Sequence, residues 1–160
     1  MKLEPIGVIR TPYHDTAPFQ PQENEAQEFY LELNPSFQAA LEGLEAFRYI
    51  YVLFHIDRLD RPVKMQVSPP WAKGRTVGLF ASRSPVRPNP IGLSIVRIKK
   101  IVDSVVYTSG LDVFDETPLL DIKPYIKDLD TKLDANYGWL DEPEERDHLV
   151  KHIKGEPHSH

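Results

Sequence analysis

Proline limits the folds open to this chain more than any other residue type. Fifteen of the 160 residues are proline, and Pro85, Pro88 and Pro90 fall within one short segment, FASRSPVRPNPIGLS, at residues 80–94. Each proline fixes its own φ, removes a backbone donor and pushes the preceding residue toward extended geometry. Such a segment cannot form a helix or a central strand. We therefore predict a stiff loop here, in a fold with many irregular connections and few long helices.

This proline-rich loop also carries polar side chains that suit a ligand site. Arg83 lies two residues before the first of its prolines, and Arg87 and Asn89 lie between them. Arginine binds planar carboxylates, phosphates and bases well, and a rigid loop holds such groups in a defined place. The alternative is a surface loop whose arginines are simply solvated.

The length and composition are those of one soluble globular domain. The chain is 41% hydrophobic and 27% charged. No apolar run reaches membrane-spanning length and the start MKLEPIGVIR lacks the layout of a signal peptide, so we expect a cytoplasmic protein without membrane contact. The absence of cysteine excludes disulfides, thiolate catalysis and cysteine-ligated zinc. A net charge of −5 argues against an extended nucleic-acid footprint but permits a local basic patch.

Alternating and β-branched segments predict a chain built mainly of strands. The predicted strands lie at residues 4–10, 29–33, 47–56, 63–68, 76–82 and 92–102, with one or two more at 105–115, the first of them pairing back through Asp103 and Ser104. Asn34 and Pro35 predict the start of a short helix that ends near Gly43, because asparagine caps helices well and proline suits the first helical position.

The order of these elements favours a mostly β fold. Strands do not alternate regularly with helices, and no glycine fingerprint of a dinucleotide-binding fold is present. We predict a small antiparallel β-barrel with short peripheral helices, formed by residues 1–140. Residues 142–154 predict a C-terminal helix, so that 141–160 would form a helix and a flexible tail.

A second dense segment, LDVFDETPLLDIKPY at residues 111–125, concentrates acidic groups between apolar residues. Its alternation places Asp121 and Lys123 on one face of an extended chain, where they would pair or bracket a ligand. A polar strand end with solvated charges is the alternative. Clustered carboxylates also bind hard cations, but the spacing D-x-x-D-E matches no calcium loop.

Other candidate residues have stronger structural interpretations. His148 and His152 are four residues apart on a predicted helix, which is typical of a solvated helix face rather than a metal site. His55 at the end of an apolar strand is more typical of a hydrogen-bonded core histidine than of a base. Trp71 and Trp139 are more typical of packing than of stacking on bases.

Three strings together resemble a known family. FASRSPVRPNPIGLS, LDVFDETPLLDIKPY and the N-terminal PIGVIRTPY are closely similar to the TsaA-like (YaeB-type) family of TrmO tRNA methyltransferases, over roughly residues 4–125. The resemblance implies a single-domain β-barrel, usually dimeric, that binds S-adenosylmethionine without a Rossmann fold. It also implies N6-methylation of threonylcarbamoyl-adenosine next to the anticodon of threonine tRNA.

The resemblance also implies which residues contact the cofactor. They are Phe19, Gln20, Pro21, Ile56, Asp57, Arg83, Leu93, Glu116, Thr117, Pro118 and Leu119. Glu116 departs from the family pattern, which usually has glycine there, and glycine permits a positive φ that glutamate adopts only at a cost. Arg48 and Tyr49 also depart from the Ser-His pair common in the family. The chain has only about 35 residues after Tyr125, whereas some members carry a second domain that helps to hold tRNA.

Methyl transfer to N6 would need alignment of donor and acceptor and removal of one proton. Asp121 or Tyr125 is the predicted proton acceptor. Arg83, Arg87 and Lys123 would hold the threonylcarbamoyl carboxylate and phosphates, and Asn89 would read the adenine edge. Two alternatives stay open: a barrel that binds S-adenosylmethionine or a nucleotide without methylating tRNA, and a structural or interaction protein that binds no cofactor.

Overall fold

The computed structural model describes residues 1–18, 21, 26–69, 72, 74–141 and 150–151. The chain divides into two compact units. The first, which we call the barrel unit, comprises Met1–Asp57 and Ile91–Thr131, and the second, the loop unit, comprises Arg58–Pro90 and Lys132–His160. The predicted domain boundary at residue 140 stays a prediction.

The described residues contain eight strands. They are β1 (Gly7–Arg10), β2 (Phe29–Leu33), β3 (Tyr49–His55), β4 (Gln66–Val67), β5 (Val77–Gly78), β6 (Ile91–Val102), β7 (Val105–Thr108) and β8 (Thr117–Pro124). Six of them close into a barrel in the order β1-β2-β7-β6-β3-β8, and every neighbouring pair is antiparallel. The predicted mostly β, antiparallel barrel is therefore confirmed.

Alternation along the strands fills the barrel. In β3, for example, Ile50, Val52 and Phe54 are buried, whereas Tyr49 and His55 at the two ends of the strand face outward. The inward residues form a continuous hydrophobic core. It includes Ile9, Phe29, Leu31, Ile50, Val52, Phe54, Val96, Val106, Leu111 and Leu119. Because side chains of a strand point alternately to its two faces, the same register sets out ordered rows of residues on the outside of the barrel.

Several local predictions agree with the structure. The predicted strand at 29–33 has the bounds of β2, and β6 and β7 form a hairpin through Asp103 and Ser104. Pro35–Leu41 forms a 3₁₀ helix, and the Asn34 side chain caps it by accepting a hydrogen bond from the backbone N–H of Ser36 at 3.1 Å. The described residues also include short helical segments at Leu44–Ala46, Leu79–Ala81, Lys127–Asp130 and Gly138–Leu140.

Three predicted strands are wrong in whole or in part. Residues 111–115 form no strand, because the chain turns at Asp115 and Glu116, where Glu116 has a φ of +66°. The strand predicted at 76–82 stops at Gly78, since Leu79–Ala81 turn into a 3₁₀ helix that is closed by a hydrogen bond from the Ser82 N–H to the Leu79 carbonyl. The strand predicted at 63–68 is reduced to Gln66–Val67. Of the C-terminal helix predicted at 142–154, only residues 150 and 151 lie within the described residues.

Candidate functional site

The proline-rich loop of the loop unit is held in shape by one of its own arginines. Nη1 of Arg87 donates hydrogen bonds to the carbonyl oxygens of Ser82 at 2.9 Å, Ser84 at 3.3 Å and Leu79 at 3.5 Å. The guanidinium also lies 5.6 Å from the centre of the Phe80 ring, which is 80% exposed. Because one end of the guanidinium binds the loop backbone, Arg87 stiffens the loop as well as charging it. Its predicted contact with substrate stays a prediction.

Trp139 packs against the same loop from the C-terminal part of the loop unit. Its indole Nε1 donates to the carbonyl oxygen of Ala81 at 2.7 Å, and its own carbonyl accepts from Arg75 Nη1 at 2.6 Å. This agrees with the structural interpretation of Trp139. Arg83 and Asn89 are exposed on the loop and available to a ligand, whereas Trp71 lies outside the described residues.

In the barrel unit, the turn before β8 adopts a strained conformation. Glu116 has a φ of +66°, in the left-handed region that glycine adopts most readily. The turn is fixed by backbone bonds from Asp115 N–H to the Tyr13 carbonyl at 2.7 Å and from Glu116 N–H to the Ile9 carbonyl at 2.9 Å. Glu116, where the resemblance implies glycine, therefore has a backbone conformation that glycine adopts at lower cost.

The predicted cofactor residues after this turn differ in accessibility. Thr117 and Leu119 are buried, and the Thr117 hydroxyl donates to the Phe114 carbonyl at 2.7 Å. A ligand beside them would meet their backbone rather than their side chains. Glu116 is exposed and Pro118 is half-buried.

Glu116 belongs to a charged cluster centred on Arg10 of β1. Arg10 Nε donates to Glu32 at 2.9 Å, and its Nη1 lies 3.2 Å from Glu116 and 3.6 Å from Asp115. The hydrogen bond to Glu32 is the main cause that raises the pKa of Arg10 above its ordinary value. An open groove of about 460 Å³ adjoins the cluster, lined by Arg10, Thr11, Pro12, Ala26, Gln27, Glu28, Tyr30, Glu32 and Asp115.

The outer face of β8, β3 and β6 brings four predicted site residues together. Lys123 lies opposite Tyr51, and Asp121 lies opposite Leu53, whose other neighbour is Leu93. The Lys123 ammonium is 2.8 Å from the Asp121 carboxylate, which confirms the predicted shared face. We call this surface the catalytic face, after the predicted catalytic residues that it carries; its members are Leu93, Asp121, Lys123, Tyr125, Tyr49, Tyr51 and Arg97.

Aromatic rings lie on the catalytic face together with the Asp121–Lys123 ion pair. The ring of Tyr125 lies 5.5 Å from that of Tyr51 and 6.5 Å from that of Tyr49. Arg97 covers Tyr49, with its guanidinium carbon 4.7 Å from the ring centre and Nη2 donating to the phenol oxygen at 2.8 Å. Partial burial, followed by the nearby Asp130, raises the pKa of Tyr51. The catalytic face therefore combines aromatic rings suited to stacking with one carboxylate, Asp121, and two cations, Lys123 and Arg97.

Sequence reasoning missed Tyr51 and Arg97, because their roles depend on which strands are neighbours. The predicted cofactor residues that precede β6 are not members of the catalytic face. Ile56 follows β3 and packs against the core, Asp57 is exposed and Pro21 is half-buried. Phe19 and Gln20 lie outside the described residues. His55 is exposed, so its interpretation as a core histidine is wrong: it follows the inward-facing Phe54 and therefore points outward.

The part of the chain that the structure describes contains neither a candidate metal site nor a candidate membrane-spanning helix. No group of three or more metal-ligating side chains gathers there. Among the same residues, no helix is both long enough and apolar enough to cross a bilayer.

Comparison with known proteins assigns the chain to a family. The family model described as "tRNA-methyltransferase O N-terminal domain" matches residues 8–131. The chain therefore belongs to the TrmO family, as its sequence motifs predicted.

Individual relatives agree with this assignment. The chain is 41% identical over 148 residues to the "tRNA (adenine(37)-N6)-methyltransferase" of Escherichia coli, covering 86% of the chain and 63% of that protein. It is 35% identical over 152 residues to a "Probable S-adenosyl-L-methionine-binding protein" of Archaeoglobus fulgidus, covering 94% of the chain and 41% of that protein. The crystal structure of TrmO from Pseudomonas aeruginosa matches with a TM-score of 0.70 at 35% identity, covering 86% of this chain and 62% of that one. The chain thus spans between two fifths and two thirds of the length of these three proteins.

Proposed function

We propose that this protein is an S-adenosylmethionine-dependent methyltransferase that methylates N6 of threonylcarbamoyl-adenosine next to the anticodon of threonine tRNA. The observation that carries the proposal is the catalytic face, where Asp121 and Lys123 of β8 and the following Tyr125 lie on the same outer surface as Leu93 of β6, with β3 between them. Membership of the TrmO family supports it, as does the activity for which the Escherichia coli relative is named.

The side chains present suit the chemical groups of S-adenosylmethionine. Leu93 is 54% exposed and offers apolar surface to an adenine ring. Leu93 is the side chain of the barrel unit that we propose to hold the cofactor. When bound, the cofactor supplies a methyl group on a positively charged sulfur.

The remaining residues of the catalytic face would position the acceptor and take up its proton. Tyr125 and Tyr51 offer ring surface on which the adenine stacks. Because N6 loses a proton when it gains a methyl group, a proton acceptor must lie within hydrogen-bond reach. Either an Asp121 carboxylate oxygen takes up the proton, or the Tyr125 hydroxyl relays it by releasing its own proton to solvent as it accepts. Lys123 of the barrel unit holds the substrate carboxylate. On the loop unit, Arg83, Arg87 and Asn89 stay predicted contacts with the RNA.

Methyl transfer to defined tRNA tests this proposal directly. Purified protein is incubated with radiolabelled S-adenosylmethionine and threonine tRNA that carries or lacks the threonylcarbamoyl group. We expect label only in the modified tRNA, with at least a tenfold loss of rate for Asp121→Asn and Lys123→Ala. Lys2→Ala is the matched control, since Lys2 is exposed and pairs with Glu4. Absence of label from modified tRNA would reject the proposal.

A binding protein without transferase activity is the second candidate, and Glu116 favours it. A carboxylate at a left-handed position in a predicted cofactor turn adds charge and strain where the family has glycine. Calorimetry that finds S-adenosylmethionine binding, with no turnover of modified tRNA, would select this candidate over the enzyme.

We further propose that the protein acts as a homodimer in the cytoplasm. Ile91, Leu93 and Ile95 form an apolar strip on the outside of β6, and they are 39%, 54% and 52% exposed. Contiguous exposed apolar surface is typical of a protein interface. Because Leu93 lies within the strip, a second copy docked there would lie beside a proposed cofactor residue.

A further inference from the structure

A row of two aromatic rings flanked by two cations crosses four strands on another part of the barrel. Arg10 of β1 lies opposite Tyr30 of β2, Tyr30 lies opposite Tyr107 of β7, and Tyr107 lies opposite Lys100 of β6. The register shift between Ile98 and Lys100 is what brings Lys100 level with Tyr107. We call these four residues the tyrosine row. None of them has a part in the methyl transfer proposed above.

The side chains of the tyrosine row are in contact with one another. The ring centres of Tyr30 and Tyr107 are 5.4 Å apart with an interplanar angle of 37°, and both residues are half-exposed. The Lys100 ammonium lies 4.3 Å from the centre of the Tyr107 ring. Tyr30 also lines the open groove beside Arg10. Two accessible rings therefore lie between a cation and a groove.

This arrangement suits unpaired nucleotides. Bases stack on aromatic rings whatever their sequence, and lysine or arginine beside the rings neutralises the phosphates. Lys99 and Arg97, which are exposed, precede Lys100 on β6 and extend the positive charge along that strand. A protein with a net charge of −5 needs such a local concentration of cations to bind RNA.

The charges also determine how a bound nucleotide is oriented on the tyrosine row. Glu28, Glu32, Asp115 and Glu116 gather at the Arg10 end of the row, where they would repel phosphate. The phosphates must therefore lie at the Lys100 end, with the bases directed over Tyr107 toward Tyr30. Carboxylates at the groove can accept hydrogen bonds from the amino groups of bases.

We propose that the tyrosine row is a second RNA-binding site, which holds unpaired nucleotides of the substrate RNA away from the nucleotide being methylated. The proposal rests on the proposed action on tRNA, since it assigns the row to the same substrate. Its occupant is a single-stranded RNA segment, whose bases stack on Tyr107 and Tyr30 and whose phosphates contact Lys100.

Binding of a short fluorescein-labelled oligouridine to the full chain, followed by fluorescence anisotropy, tests this site without any methyl transfer. We expect Tyr107→Ala to raise Kd about tenfold, because it removes a stacking ring, and Tyr107→Phe to leave Kd within about twofold. Lys100→Gln should raise Kd and reduce the slope of log K against log salt by about 0.7, the contribution of one phosphate contact to a single strand. Tyr137→Ala, an exposed tyrosine in the loop unit, is the control and should bind like wild type.

Each contrary outcome has a defined meaning. Equal affinity of Tyr107→Ala and wild type for oligouridine, in protein that melts at the same temperature, would overturn the proposal. A variant that changes its sedimentation but not its RNA affinity would overturn it too. Loss of methyl transfer with oligouridine binding intact would reject the proposed function and leave the site standing. If methyl transfer is retained and tRNA affinity does not depend on Tyr107, the second RNA-binding site is rejected and the proposed function stands.

Discussion

Arg10 and Glu116 are 106 residues apart in the chain, and their side chains meet at 3.2 Å. Glu116 has a φ of +66°, and its backbone N–H donates to the carbonyl of Ile9, the neighbour of Arg10. The ion pair therefore reinforces a turn whose backbone conformation glutamate adopts at a cost. A glutamate at this position is compatible with the fold because its carboxylate has a cation within reach.

Substitution of Glu116 separates the backbone cost from the ion pair. Glu116→Ala loses the contact with Arg10 and keeps a β-carbon at positive φ, whereas Glu116→Gly loses the contact and relieves the strain. The left-handed conformation costs an L-residue about 1–2 kcal/mol, and the greater freedom of glycine in the unfolded chain offsets part of the relief. An ion pair with an exposed partner contributes about 0–1 kcal/mol. We therefore expect the Glu116→Gly variant to unfold at higher urea than the Glu116→Ala variant, with a free energy of unfolding greater by about 0.5–1 kcal/mol.

Urea denaturation of the two variants beside wild type provides the measurement. Equal or greater stability of the alanine variant would mean that the turn relaxes to a negative φ when the carboxylate is removed. Calorimetric titration of the same proteins with S-adenosylmethionine shows whether the charge at Glu116 opposes binding, since both variants lack it.

Gly92 is required at its place in β6 by the ring of Phe54. The two residues are register partners, and a β-carbon built on Gly92 overlaps the Phe54 ring. We expect Gly92→Ala to lower the free energy of unfolding by about 1–3 kcal/mol through overpacking. The double variant Gly92→Ala, Phe54→Leu should recover part of the loss. Gly78→Ala is the control, because Gly78 has a φ of −60° and nothing within 4 Å of the added carbon. If Gly92→Ala unfolds at the same urea concentration as wild type, the Phe54 ring moves aside to accommodate the added methyl group.

Beyond the fold class and the family, the features that could be predicted from sequence are local. The helix cap at Asn34 follows from a side chain and an N–H two residues apart, and β2 follows from alternation within five residues. By contrast, the tyrosine row and the catalytic face require the order β1-β2-β7-β6-β3-β8, which alternation alone does not specify. The binding of Arg87 to its own loop carbonyls was equally hidden, since composition does not indicate where a backbone carbonyl points.

Two tyrosines should make the fold sensitive to alkali. Burial raises the pKa of Tyr13 and of Tyr51 above the ordinary value of 10.0, with Asp112 and Asp130 adding to the effect. Above about pH 10 the unfolded chain releases these protons while the folded chain retains them, so stability falls as pH rises through the raised pKa values. We expect Tyr51→Phe to flatten this decline in urea denaturation between pH 9 and 11, with a smaller pH effect below pH 9. A decline of unchanged steepness in the variant would assign the alkaline loss to other groups.

The apolar strip of β6 predicts a dimer that one substitution dissociates. Ile95 is 52% exposed in the strip, and Val102, 49% exposed near the other end of the same strand, is its matched control. A carboxylate at the centre of an apolar interface must be desolvated without a partner, which costs far more than the same change at a solvated surface. In sedimentation velocity we therefore expect wild type and Val102→Glu to share one larger species, and Ile95→Glu to sediment as a monomer with an unchanged far-ultraviolet spectrum. If wild type is monomeric at every concentration, the proposed dimer is rejected. If Ile95→Glu is still a dimer, the dimer interface lies on another face of the protein.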